Sequence, residues 1–207
     1  IITEPPALEK SYDRDMAFRI ALAALLFLIV AGASLRAAEP APIPLAVGLT
    51  ESEAKERAAL FAALAATKSD AEARAAEDRI WTFWRGFADE QSRQLLEQSK
   101  EAQLRFDYDE ALLYLKELVK HAPQFAEGWN QLGYVYFLAG QYDASLKAID
   151  EVLALEPMHY AALAGKGIIL IQQGKVAEAQ APLKRALEID PWLKERNLIG
   201  EDRIPEP

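Results

Sequence analysis

The residue types most capable of chemistry are sparse in this chain. Two histidines, His121 and His159, stand beside Pro123 and Pro157. Imidazole serves as a general base or a metal ligand, but a base needs a nucleophile in reach and a zinc site needs further donors. Neither histidine has a catalytic partner or an acidic cluster at ligand spacing, so both read as solvent-exposed loop residues. The chain has no cysteine, which removes disulfides, thiolate metal sites and thiol nucleophiles together. Asp107, Asp109 and Glu110 lie at the start of a helical stretch, where carboxylates cap free N–H groups and complement the helix dipole. Acid-base work by paired carboxylates needs burial to separate their proton affinities, and an exposed helix start supplies none. Gly165, Lys166 and Gly167 lack both the upstream glycine and the preceding strand of a phosphate loop, which leaves Gly167 to helix packing. These observations predict no enzyme, no cofactor and no metal site.

The bulk composition narrows the partners. The chain has 207 residues, 51% hydrophobic and 27% charged, with a net charge of −9. That balance suits a folded domain with a sizeable core. Nucleic acids are bound by clustered Lys and Arg that displace counterions; no such run occurs, and the acidic field repels phosphate.

Any functional surface must therefore be built by the elements, and these repeat. Three segments, 92–125, 126–159 and 160–193, align at an offset of 34 residues, and each closes with a proline near its end, Pro123, Pro157 and Pro191. A repeat of this length reads as one helical hairpin per unit. Small residues recur where two helices approach closely: Ser99, Gly133 and Gly167 on the first helix, Ala111, Ser145 and Ala179 on the second. Large apolar residues flank them, Leu95, Trp129 and Leu163, then Leu115, Ile149 and Leu183. Gly140 and Gly174 mark the turns, where a left-handed backbone is needed, and proline stops each second helix.

Residues 129–157, WNQLGYVYFLAGQYDASLKAIDEVLALEP, resemble a tetratricopeptide repeat through Trp129, Leu132, Gly133, Tyr136, Gly140, Tyr142 and Pro157. The third repeat matches through Gly167, Gly174, Ala179, Leu183, Ala186 and Pro191, and the first through Tyr108, Ala111, Leu115 and Pro123. The first departs from the pattern at Ala102, where an aromatic is expected, and at Phe106, where the turn glycine should stand. The resemblance implies an all-α fold, a TPR α-solenoid of three helix-turn-helix repeats. It also implies a concave groove lined by the first helices. At the groove positions stand Arg93, Leu96, Lys100, Gln103 and Leu104 in the first repeat. Glu127, Asn130, Tyr134, Phe137 and Leu138 follow in the second, then Ala161, Ala164, Ile168, Ile171 and Gln172 in the third. In the family such a groove takes a protein or peptide partner. A segment with apolar or aromatic side chains suits Tyr134, Phe137 and Ile168, with an acidic residue near Arg93 and Lys100; Asn130 is placed to bond a peptide backbone. Tyr134, Phe137, Ile168 and Ile171 also suit packing between repeats, and both readings stand at this point.

The flanks complete the organisation. Residues 1–15 are polar, contain prolines and begin without Met, so an upstream artefact or disordered leader is expected there, with Met16 as the true start. Residues 16–38 read as a signal peptide: a basic start, an uncharged run from Ile20 to Leu35, and small residues at Ala31-Gly32-Ala33. That run is about 24 Å long as a helix, short of the roughly 30 Å bilayer core. The expected location is periplasmic or secreted, or inner-membrane anchored if the leader is kept, which is the sole membrane contact expected. A Pro-rich linker occupies 39–50. Residues 51–91 form an N-terminal helical hairpin opened by Thr50-Glu-Ser-Glu53 and Ser69-Asp-Ala-Glu72, both resembling capping boxes. Ile80, Phe83, Trp84 and Phe87 share one face, which the pattern predicts to cover the open end of the first repeat. Residues 194–207 form a short C-terminal cap and tail, preceded by Trp192 and Leu193 over the last helix pair. The leading hairpin and AEGWN at 126–130 also resemble bacterial secreted proteins of the same repeat family. A scaffold or assembly adaptor is the role implied, or a membrane-anchored assembly factor for pilus, outer-membrane or cytochrome maturation.

Overall fold

The computed structural model describes residues 48–199, and the expectations for the leader, most of the linker and the tail fall outside that span. Eight α-helices follow one another: α1 (Glu51–Ala65), α2 (Asp70–Arg85), α3 (Glu90–Leu104), α4 (Tyr108–His121), α5 (Ala126–Leu138), α6 (Tyr142–Leu155), α7 (Tyr160–Gln172) and α8 (Val176–Ile189), then a short 3-10 turn at Lys194–Leu198. The described residues contain no strand, and none of their helices is long and apolar enough to cross a membrane.

Local chemistry sets the helix starts. The Thr50 hydroxyl accepts the Glu53 N–H, while the Glu53 carboxylate accepts the Thr50 N–H at 2.7 Å, a complete capping box. At α2 the Ser69 hydroxyl caps the Glu72 N–H, but the Glu72 carboxylate reaches Lys68 N–H at 2.8 Å, so the reciprocal bond is displaced by one residue. Asp107 accepts the Glu110 N–H at 3.0 Å, the capping role its position predicts. The turn residues Gly140 and Gly174 adopt φ of 71° and 76°, and Phe106, the non-glycine at the equivalent place, adopts φ of 60°. Three homologous turns thus share one left-handed bend, two without steric cost and one against it.

Within each repeat the two helices pack closely, α3 with α4, α5 with α6 and α7 with α8, and the first helices of neighbouring repeats also touch. The small residues sit where contact demands them. A Cβ on Gly167 would lie 2.4 Å from the Leu183 Cγ, and one on Gly133 would lie 3.3 Å from the Ile149 Cγ1. Ser145 is buried opposite Gly133 and its hydroxyl donates to the Gly133 carbonyl at 2.6 Å. The first repeat follows the same plan with Leu95, Ala102, Ala111 and Leu115 buried in one core with Leu132 and Val135 of the second.

The leading hairpin departs from expectation. Ile80 and Trp84 do not cover the first repeat; they are buried with Leu60, Phe61 and Leu64 of α1 against Met158, Tyr160, Leu163, Ala186 and Ile189. Helix α2 crosses the turns that follow all three repeats. Its first half borders Trp192–Glu195, Trp81 and Trp84 meet His159 and Tyr160, and Phe83 and Phe87 border the Ala122–Phe125 turn. The first repeat does not need a lid, because the outer face of α3 carries exposed Gln91, Gln94, Gln98 and Glu101, polar groups that water satisfies.

A buried ion pair fastens this strap. Arg57, 2% exposed, grips the Glu156 carboxylate with both Nε, at 2.6 Å, and Nη2. The same carboxylate accepts Trp84 Nε1 at 3.3 Å and the Met158 N–H at 2.9 Å. Bidentate geometry and two further donors satisfy the charges that burial strips of water.

Candidate functional site

The groove positions fall on α3, α5 and α7. On α3, the Arg93 guanidinium is exposed but donates to the Ala88 carbonyl at 2.6 Å and to Glu90 at 2.8 Å. Lys100 lies 3.4 Å from Glu97. Leu96 is half-buried against the core shared by the first two repeats. On α5, Asn130 donates to the buried Glu127 carboxylate at 3.0 Å, and Gln131 donates to it at 2.6 Å, so one amide donor of Asn130 is already engaged. Tyr134 is the most open of the predicted groove aromatics, 52% exposed. Phe137 is half-buried with its ring 5.9 Å from that of Tyr142, and Leu138 is half-buried beside it in sequence. On α7, Ile168 faces a cleft shared with Trp81 and Trp192, and Ile171 packs against the Leu170 and Leu183 cluster. Phe137 and Ile171 therefore take part in packing, while Tyr134 offers its ring to solvent.

The histidines divide. His121 is exposed, as expected, but it is the last residue of α4 and not part of a loop; its Nε2 lies 2.8 Å from Asp89 Oδ2. His159 corrects the expectation: it is fully buried. Its Nδ1 accepts the Ala162 N–H at 3.2 Å, capping α7, and its ring stacks on Trp84 at 4.0 Å and 8°. With Nδ1 an acceptor, the proton of the neutral ring sits on Nε2, which points toward Glu127 Oε2 at 3.6 Å. The sequence signal was available, since a residue just before a repeat's first helix is at capping position. Lys166 pairs with Asp150 at 2.6 Å, which places it outside any phosphate-binding role.

The hairpin adds two clefts that reading by repeat position missed. One, of about 350 Å³, lies between Leu49, Phe83 and Phe87 on one side and Pro123, Phe125 and Leu155 on the other. The second, of about 500 Å³, lies between α2 and the groove side of α7, with Trp192 and Glu195 at its end. Three of its lining residues, Ala161, Ala164 and Ile168, are groove positions of the third repeat. At its edge, burial and the facing Asp190 carboxylate push the Glu77 carboxyl up to about 7. Burial raises Asp190 also. Among the described residues no three His, Cys, Asp or Glu side chains are grouped to hold a metal ion.

The tetratricopeptide-repeat family profile matches residues 96–150 and again 139–191. A TPR repeat-containing protein of Rhizobium etli is 36% identical over 81 residues, covering 39% of this chain and 40% of that protein. The aspartyl/asparaginyl beta-hydroxylase of Homo sapiens is 37% identical over 78 residues, covering 38% of this chain but 10% of the enzyme. The chain thus spans under half the length of these relatives. Among solved structures, the first TPR of Spaghetti bound to an HSP90 peptide superposes with a TM-score of 0.51 at 19% identity, covering 54% of this chain and 92% of that one. That likeness concerns the fold. With paired helices, small-residue contacts and left-handed turns recurring at one spacing, residues 96–191 are built as tetratricopeptide repeats.

Proposed function

We propose that this chain is an exported interaction module that holds a segment of another polypeptide in the groove of α3, α5 and α7, as a scaffold or assembly adaptor. The observation that carries the groove is Tyr134, a large aromatic ring half open to solvent at a groove position between two repeats. Exposed Tyr rings of this kind anchor partners at low entropic cost. Burying roughly 200 Å² of apolar surface on Tyr134, Phe137 and Ile168 would contribute about 5 kcal/mol before ordering costs. The structural relative that holds an HSP90 peptide supports a peptide as ligand class. A clamp for a terminal carboxylate is not the mode: Arg93 and Lys100 are turned to Glu90 and Glu97, and the third repeat offers no cation at its groove positions. Export rests on the pattern of residues 16–38, and fractionation of the native protein tests it; a retained leader would place it on the inner membrane instead.

The test of the groove is cross-linking in the native cell followed by mass spectrometry, comparing wild type with Tyr134→Ala plus Phe137→Ala. Loss of the cross-linked partner with an unchanged melting curve is the expected result. Unchanged partners in the double variant remove the groove from the account.

A further inference from the structure

The strap is fastened to the repeats at two places of unlike chemistry. One is the Arg57–Glu156 pair. The other lies on the first half of α2, where Ala73, Ala76 and Ile80 are buried in one core with Ala186 and Ile189 of α8. That seam sets Glu77 beside Asp190, the residue that ends α8. Asp190 is fully buried; its Oδ1 accepts the Trp192 N–H at 3.0 Å, and no amide or hydroxyl donates to Oδ2. The group hydrogen-bonded to it from α2 is the half-buried Glu77 carboxyl. An ionised carboxylate can only accept. Two carboxyls therefore join across this seam only while one of them holds a proton, and two bare charges there would repel. Nearby groups offset little of this. On α2, Arg74 is engaged by Asp70, and Asp78 adds a further negative charge. Beyond α8, Glu195 is 8% exposed and adds to the repulsion, while Lys194 is exposed. From α7, the Tyr160 hydroxyl is held protonated by burial and by the two carboxyls. Helix α1 meets this core through Leu60, Phe61 and Leu64, and its buried cation, Arg57, is taken by Glu156.

We infer that Glu77 and Asp190 form a latch, closed by one shared proton, that holds the first half of α2 against the third repeat and releases it when the proton leaves. Burial and the facing Asp190 raise the Glu77 carboxyl to about 7. The latch is therefore closed in mildly acid solution and opens as pH rises through neutrality. Arg57 and Trp84 keep their bonds to Glu156, so the second half of α2 stays in place and the opening is local. The cleft that it widens is lined by Ala161, Ala164 and Ile168, groove positions of the third repeat, together with Trp81 and Trp192. The latch itself stands apart from the groove reading; a part in admitting the groove's peptide rests on that reading.

Amide hydrogen exchange of the full chain, normalised at each pH to the rates of unstructured peptides, reads the latch. Release of one proton on opening should lower the protection of residues 74–81 by roughly tenfold or more between about pH 6 and about pH 8.5, while α5 and α6 keep theirs. Glu77→Gln, whose amide donates to Asp190 without titrating, should hold full protection at the higher pH. Asp190→Asn, whose amide donates to the Glu77 carboxylate, should do the same, so either variant decides the matter if the other does not fold. Both leave His159 facing Glu127, so a loss of protection that persists in a folded variant belongs to another group and overturns the inference. Protection of 74–81 that does not change with pH, or that falls equally in α5 and α6, overturns it too. The double variant Tyr134→Ala plus Phe137→Ala reads the groove separately. If it keeps its cellular partners while the exchange pattern is as expected, the groove falls and the latch stands; if it loses them and the wild-type chain shows no exchange response, the latch falls alone.

Discussion

Replacing Arg57 by methionine removes the cation from a site where Glu156 is only 3% exposed. The lost contacts are two charge-assisted hydrogen bonds, each worth about 1.5 to 3 kcal/mol. Deleting one partner of a buried pair generally costs about 3 to 5 kcal/mol, because the surviving charge is stranded. The stranded carboxylate keeps the Trp84 and Met158 donors, which argues for the lower part of that range. Arg57→Met should therefore lose about 3 to 4 kcal/mol at pH 7. Chemical denaturation followed by tryptophan fluorescence measures this, since Trp84 touches Glu156 and stacks on His159. Glu156→Gln should cost a similar amount at pH 7, and the double variant about 2 kcal/mol, leaving a coupling of several kcal/mol. Additivity of the two single changes to within about 0.5 kcal/mol refutes the account of a desolvated pair holding the strap.

Three further outcomes are expected. Phe106→Gly should raise stability by about 0.5 to 1 kcal/mol, because a left-handed backbone costs a non-glycine residue about 1 to 2 kcal/mol and the ring, 79% exposed, contributes little packing; a loss measured by denaturant would mean the ring has a contact of its own. Gly167→Ala should cost about 1 to 3 kcal/mol, since its Cβ would overlap Leu183, and more than Gly133→Ala, where the nearest atom is 3.3 Å away; the reverse order in melting temperature would contradict the packing described. Finally, Glu77 binds its proton more tightly folded than unfolded, with its folded value near 7 against 4.5. Its contribution is complete below pH 4.5 and is lost as pH rises through 7, so stability should fall across that window. Glu77→Gln should flatten the fall.

What could be read from one dimension was whatever depends on neighbours three or four residues apart. The 34-residue spacing, the small residues at Gly133 and Gly167, the caps at Thr50, Ser69 and Asp107 and the glycine turns all follow from helix geometry, which is the same in every context. Even the flaw at Phe106 was visible, as a bulky residue where the turn bends left. The groove positions followed from the repeat register, but the register does not say which of those side chains remain open. Phe137 and Ile171 turned into packing and Tyr134 did not.

The place of the hairpin belonged to the tertiary structure. The stripe of Ile80 and Trp84 announces that α2 must bury a face, yet any apolar surface of similar width would satisfy it, since the hydrophobic effect has no direction. Two local signs pointed the right way: the polar outer face of α3, and an arginine at position 57 in register with Leu60, Phe61 and Leu64. Neither identifies Glu156, which lies 99 residues along the chain. The choice rests on a charge pair and on the shape of three successive turns, and both exist only once the repeats have stacked. His159 is buried, and the clefts beside α2 exist, for the same reason: they are made by the strap closing over residues that each repeat, taken by itself, would leave in water.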